Sequence, residues 1–201
     1  DSLALPKETS SGSCVVATDF DLDGDLDLFV GGKIIPQHYP DGGESRLLEN
    51  NGGRFTDVTD AKAPGLKNIG MVNAAIWSDV NNDQRPDLVL AGEWMPITVF
   101  VNEHTRFTNA TTSLGLDHTV GWWNSIQAGD FNQDGKTDFI AGNLGSNSRY
   151  TTNDKHPLSI YINDFGNIGN RNPIITVNDS GVGYPIHPRD DLMMQLPALR
   201  K

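Results

Sequence analysis

A nine-residue stretch, Asp130-Phe131-Asn132-Gln133-Asp134-Gly135-Lys136-Thr137-Asp138, constrains this chain more than any other, because it occurs three times. The other copies run from Asp19 to Asp27 and from Asp79 to Asp87. Positions one, three, five and nine carry oxygen side chains in every copy: Asp19, Asp21, Asp23 and Asp27; Asp79, Asn81, Asp83 and Asp87; Asp130, Asn132, Asp134 and Asp138. A hard cation such as Ca2+ takes roughly six to eight oxygen ligands, and a glycine at position six lets the chain wrap the ion. Gly24 and Gly135 stand there, but Gln84 replaces the glycine in the second copy. Position seven is Asp25, Arg85 or Lys136, so its contribution cannot depend on the side chain and is expected through the backbone carbonyl. The spacing therefore predicts about three Ca2+ ions, one per loop, with the second site weakest.

An EF-hand loop ends in a bidentate Glu at position twelve and leads into a helix. Position twelve is instead Val30, Leu90 or Ala141, each inside a short apolar run. The segments before the loops, Val15-Val16-Ala17, Ala74-Ala75-Ile76-Trp77 and Ser125-Ile126-Gln127-Ala128, are equally short. Runs of that length bounded by turn residues favour strands. The unit reads as strand, calcium loop, strand.

A second element also repeats. Leu47 to Thr59 has the form of a hairpin around Asn51-Gly52-Gly53, and Val99 to Thr111 repeats it. Each repeat of about fifty residues then holds about four strands, the signature of β-propeller blades, which bury their faces by stacking. The expected fold is all-β: a β-propeller of four-stranded antiparallel blades, partial at about three to four blades. Residues 1–188 form the blades, with calcium loops at 19–27, 79–87 and 130–138. Residues 164–172 keep a loop's opening Asp164 and its Gly169 but lack the other carboxylates, so this copy is expected to be degenerate and without metal. Residues 189–201 form a tail with a short helix, starting behind Asp190-Asp191.

The formal net charge of -11 resides mainly in the loops, which hold eleven acidic residues against Arg85 and Lys136. No basic face or stripe is visible, which argues against nucleic acid as a partner. No run approaches the length of a transmembrane helix. Cys14 is the only cysteine, so no internal disulfide forms, and its apolar neighbours predict a buried small hydrophobe. His38, His104, His118, His156 and His187 show no metal-ligand spacing, and no nucleophile motif such as G-x-S-x-G occurs, so the chain is expected not to be an enzyme. Of the tryptophans, Trp77 is expected in the core, and at most one of Trp122 and Trp123 can face solvent if they lie on a strand.

Residues 16–31 and 127–142, with their shared loop and flanking strands, resemble FG-GAP/VCBS repeats, and the resemblance covers about residues 13–176. Such repeats are found in integrin α-subunit propellers, cartilage-acidic-protein-like proteins and bacterial surface proteins. The resemblance implies a Ca2+-binding β-propeller, extracellular or in the cell envelope, secreted or surface-attached. The integrin-type Phe-Gly pair is missing, so integrin-like ligand binding is not implied. The function expected is a non-enzymatic adhesion or ligand-binding module for an extracellular protein or glycan. The alternative is the propeller portion of a secreted carbohydrate-active enzyme. Remaining blades of a longer chain, or self-association, are the expected partners of the open repeats.

Overall fold

The computed structural model describes residues 4–7, 10–145, 148, 150, 152, 153, 155–166, 169 and 171–200. They fall into two units, one holding residues 1–37 and 41–143 and the other 38–40 and 144–201.

In the first unit, the first repeat forms strands β1 (Ser11–Thr18), β2 (Asp27–Ile34), β3 (Arg46–Asn51) and β4 (Arg54–Asp57), in that spatial order and all antiparallel. Thr18 pairs with Asp27, so the nine-residue loop is the connection of the β1–β2 hairpin. Gly52 and Gly53, both at positive φ, turn β3 into β4. A one-turn helix, α1 (Thr59–Lys62), follows. Nothing in the hydrophobic pattern announces it; it is set by Asp57, whose Oδ1 accepts from the Thr59 N–H at 3.0 Å.

The second repeat gives β5 (Met71–Ser78), β6 (Asp87–Met95), β7 (Thr98–Asn102) and β8 (Phe107–Asn109). The third contributes β9 (Gly121–Gly129) and β10 (Asp138–Asn143). β9 also pairs with the end of β6 through Glu93 with Trp122 and Met95 with Gly121, so these six strands form one sheet. Trp94 is the extra residue between those pairs and sits at φ 58, in the left-handed region.

Among the described residues, four strands per repeat are thus found in the first two repeats, and the third contributes β9 and β10 to its sheet. There the two-residue link of the second repeat, Pro96-Ile97, is replaced by the longer polar stretch from Leu144 to Leu158. No sheet closes on itself among the described strands.

Apolar alternation buries the facing sides of consecutive repeats of the first unit against one another. Phe20, Phe29, Leu47 and Leu66 of the first repeat pack with Val72, Ala75, Leu88, Leu90, Phe100 and Phe107 of the second. Val89, Ala91 and Val99 of the second repeat pack with Ile126 of the third. Trp77 joins the first cluster and Trp123 the second, both partly buried. Trp122 instead lies against Trp94, with ring centroids 5.6 Å apart. Cys14 is half-buried rather than buried, since β1 has only one covered face; burial still pushes its thiol pKa up, against hydrogen bonds to Ser13 and Gly31.

The second unit holds a three-stranded antiparallel sheet, β11 (Ser159–Asn163), β12 (Asn172–Asp179) and β13 (Val182–Pro185). Helix α2 (Arg189–Gln195) follows, with Asp190 and Asp191 in its first turn, and a 3-10 turn covers Pro197–Arg200. Among the described residues no helix is long and apolar enough to cross a membrane.

Candidate metal centres

All three loops are built by the same short-range hydrogen bonds. The position-one carboxylate accepts from the backbone N–H groups of positions five and six. Asp23 and Gly24 donate to Asp19 at 3.1 and 3.0 Å, Asp83 and Gln84 to Asp79 at 3.0 and 2.8 Å, and Asp134 and Gly135 to Asp130 at 3.0 and 2.9 Å. Position five in turn accepts from position seven, with Asp25, Arg85 and Lys136 each donating a backbone N–H at 2.9 Å.

This path needs left-handed residues at two places. Position six is Gly24, Gln84 or Gly135, with φ 100, 68 and 81. Position four is Leu22, Asn82 or Gln133, with φ 63, 61 and 63, a requirement that no glycine signals in the sequence.

Position nine anchors each loop. Phe20, Val80 and Phe131 donate backbone N–H groups to Oδ2 of Asp27, Asp87 and Asp138 at 3.0, 2.8 and 3.0 Å. In the first two repeats the third strand reaches in as well: Asn50 donates to Asp27 Oδ1 at 2.8 Å and Asn102 to Asp87 Oδ1 at 2.7 Å. Burial pushes the pKa values of Asp27 and Asp87 up despite these donors, with neighbouring loop carboxylates adding to the rise. Asp79 goes the other way. Its burial raises the pKa, but four backbone N–H donors, from Gln84, Asp83, Asn82 and Asn81, together hold it below the usual carboxylate value.

In the first loop Asp19, Asp21 and Asp27 each place a carboxylate oxygen within 4.8 Å of the others, the one such group of three or more His, Cys, Asp or Glu side chains among the described residues. Asp21 Oδ1 is buried there without a hydrogen-bond partner. An acceptor left bare among like charges is costly unless a cation shares the space, so the residues present fit a hard divalent ion. Asp23 stays at the loop's exposed side, and Asp25 turns its carboxylate to the N–H of Gly52 at 2.8 Å. In the second and third loops position three is an amide: Asn81 and Asn132 each accept from the position-five N–H, at 3.0 and 2.9 Å.

Two cations beside these loops are not legible from the spacing. Lys62 places Nζ 3.6 Å from Asp21 Oδ2 and also pairs with Glu49. Arg85 folds its guanidinium onto Asp83 of its own loop while Nε donates to the Asn102 carbonyl at 2.9 Å. Each arises because α1 or the outer hairpin passes the loop, a tertiary placement.

The 164–172 stretch connects β11 to β12, and its described residues keep the Gly169 N–H donated to Asp164 Oδ2 at 2.8 Å. Asn172, at position nine, carries a buried Oδ1 without a hydrogen-bond partner. Asn167, Ile168 and Asn170 lie outside the described residues. Of the histidines, His156 shares a hydrogen bond with Asn178 at 3.0 Å.

Comparison with protein families matches residues 79–141 to the FG-GAP-like repeat and residues 122–161 to the FG-GAP repeat. No curated protein matches the chain at a significant level. Both matches take in the third loop, and the first also spans the second.

Proposed function

Because residues 79–141 and 122–161 match FG-GAP repeat models, we propose that the chain is a calcium-stabilised β-propeller module that acts outside the cytosol by binding a protein or glycan ligand, without catalysis. The observation that carries the metal part is the Asp19, Asp21 and Asp27 cluster with its bare, buried Asp21 oxygen.

Site one is held by Asp19, Asp21, Asp23, Asp27 and the Asp25 carbonyl. Site two uses Asp79, Asn81, Asp83, Asp87 and the Arg85 carbonyl, and site three Asp130, Asn132, Asp134, Asp138 and the Lys136 carbonyl. The ion's chemistry here is charge neutralisation: it holds the β1–β2, β5–β6 and β9–β10 connections in one shape. No nucleophile motif such as G-x-S-x-G accompanies the loops, which supports binding over turnover. Free calcium at the level such loops need is plentiful outside the cytosol, which supports an extracellular or cell-envelope location.

The reading is tested by screening the chain against immobilised glycans and extracellular-matrix proteins in calcium and in EGTA, with release of reducing sugar followed in parallel. Calcium-dependent retention without bond cleavage is the expected result. Glycan cleavage abolished by a substitution that leaves folding intact would replace this reading with a carbohydrate-active enzyme.

A further inference from the structure

The first loop differs from the other two in charge. Position seven is a cation in the second and third loops, Arg85 and Lys136, so each of those loops sets three carboxylates against one positive charge. The first loop holds Asp19, Asp21, Asp23, Asp25 and Asp27, five carboxylates and no cation. Part of the excess lies at position three, where Asp21 replaces the neutral amide of Asn81 and Asn132. Asp21 joins Asp19 and Asp27 in the cluster whose carboxylate oxygens lie within 4.8 Å of one another.

The missing cation comes from another element. Nζ of Lys62, in the last turn of α1, lies 3.6 Å from Asp21 Oδ2, pairs with Glu49 of β3 and stands over the Phe20 ring, 5.3 Å from its centroid. All three charged side chains are largely covered, with exposures of 18 % for Asp21, 20 % for Glu49 and 24 % for Lys62. The second repeat shows that this arrangement is not a by-product of the fold. The Lys62 N–H donates to the Val58 carbonyl at 2.8 Å and the Leu114 N–H to the Ala110 carbonyl at 2.9 Å, so the two residues hold the same place in their repeats. β3 and β7 align through Asn50 and Asn102, which donate to Asp27 and Asp87, and this makes Val101 the equivalent of Glu49. The same positions thus carry Lys62 and Glu49 beside the loop of five carboxylates, and Leu114 and Val101 beside the loop that supplies its own cation.

We propose that Lys62 is the built-in counter-ion of the first loop and that it sets the calcium concentration at which this site fills. Without metal, the ammonium offsets the repulsion among Asp19, Asp21 and Asp27 and so favours the shape of the loop. When calcium enters, the same charge opposes it, and the site fills at a higher concentration than its five carboxylates alone would give. Glu49 and the Phe20 ring keep the ammonium beside the cluster. An ammonium has donors and no acceptor, so Lys62 is a positioning residue that acts through Asp21 and not a ligand of the ion. The inference rests on the metal reading of the proposed function.

The test is an amide NMR titration of the whole chain in calcium buffers, with the Gly24 N–H reporting on the first loop and the Gly135 N–H on the third, for the parent, Lys62→Met and Lys62→Arg. Methionine keeps the apolar stem and removes the charge; arginine keeps the charge. Lys62→Met is expected to move the Gly24 midpoint to about three- to tenfold lower calcium and to leave Gly135 in place, and Lys62→Arg to stay near the parent. A second measurement needs no metal. In EGTA, Lys62→Met should lower Tm and the further change Asp21→Asn should raise it again, because the amide removes a charge that has lost its partner, whereas lost packing would not be recovered that way. A Gly24 midpoint that Lys62→Met leaves unmoved or raises, or a melt in EGTA that Asp21→Asn does not recover, would overturn the proposal. Either result in a chain that still binds calcium at Gly24 and Gly135 leaves the proposed function standing, whereas a parent chain that binds no calcium overturns both.

Discussion

The side-chain amide of Asn102 donates to the carbonyl of Phe20 at 2.7 Å, a buried bond that ties the outer hairpin of the second repeat to the loop of the first. Asn102 also accepts from the His104 N–H at 3.0 Å, and its own N–H binds Asp87. One residue thus joins two candidate metal loops and a hairpin turn, the first loop and the turn through its side chain and Asp87 through its backbone N–H. Asn102→Ala is expected to cost about 1–3 kcal/mol, because it strands buried polar groups as well as losing their bonds. Urea unfolding at neutral pH reads the change; a loss within a few tenths of a kcal/mol of zero would show that the bond is not needed.

Asp21 should matter more in calcium than without it. Without metal, the Asp21 carboxylate sits beside those of Asp19 and Asp27 with Lys62, itself shared with Glu49, as its ion-pair partner, so Asp21→Ala is expected to change stability by no more than about 1 kcal/mol in EGTA. In calcium the same variant forfeits one site's linkage, about 2.7 kcal/mol at a hundredfold excess over Kd. Paired melts in EGTA and calcium check both halves, and a variant equally destabilised in both would deny the site its ion.

Gln84 carries φ 68 where the other loops have glycine. Gln84→Gly should therefore stabilise by about 0.5–1 kcal/mol by removing a left-handed side chain, and should strengthen the second site. Isothermal titration against the parent tests this. A weaker second site in the glycine variant would show that the Gln84 side chain contributes more than its backbone costs.

Asp57 supplies a pH dependence away from the loops. Burial raises its pKa, but the Thr59 hydroxyl and N–H and the Arg46 guanidinium together win and hold it below the usual carboxylate value. A depressed folded pKa means that the stabilisation is fully present above the unfolded value of about 3.9 and is lost as pH falls through the folded pKa. The stability gap between the parent and Asp57→Asn should thus be constant near neutrality and shrink below about pH 4. Urea midpoints across that range decide it; a gap that widens on acidification has the wrong sign.

How far the sequence could be read depends on the range of the interactions involved. Asp19, Asp79 and Asp130 were legible as loop openers because the bonds they accept come from within five residues of each. The strands beside them were legible because an apolar run ends in Gly31, Gly92 or Gly142. Leu22, Asn82 and Gln133 gave no sign of their left-handed backbone, since residue type there does not follow φ. Lys62 and Arg85 were invisible for a different reason: each depends on which segment from another part of the fold lies alongside. The helix α1 hides in Asp57-Val58-Thr59, where a side-chain bond rather than periodicity sets the turn.

The most direct measurement is a thermal melt in excess EGTA against millimolar calcium, with bound metal counted on the same sample. A clear rise in Tm with calcium and about three ions per chain, one for each of the loops opened by Asp19, Asp79 and Asp130, is the predicted result. No rise and no bound calcium would contradict the assignment of these loops as metal cages, and with it the proposed calcium-stabilised module.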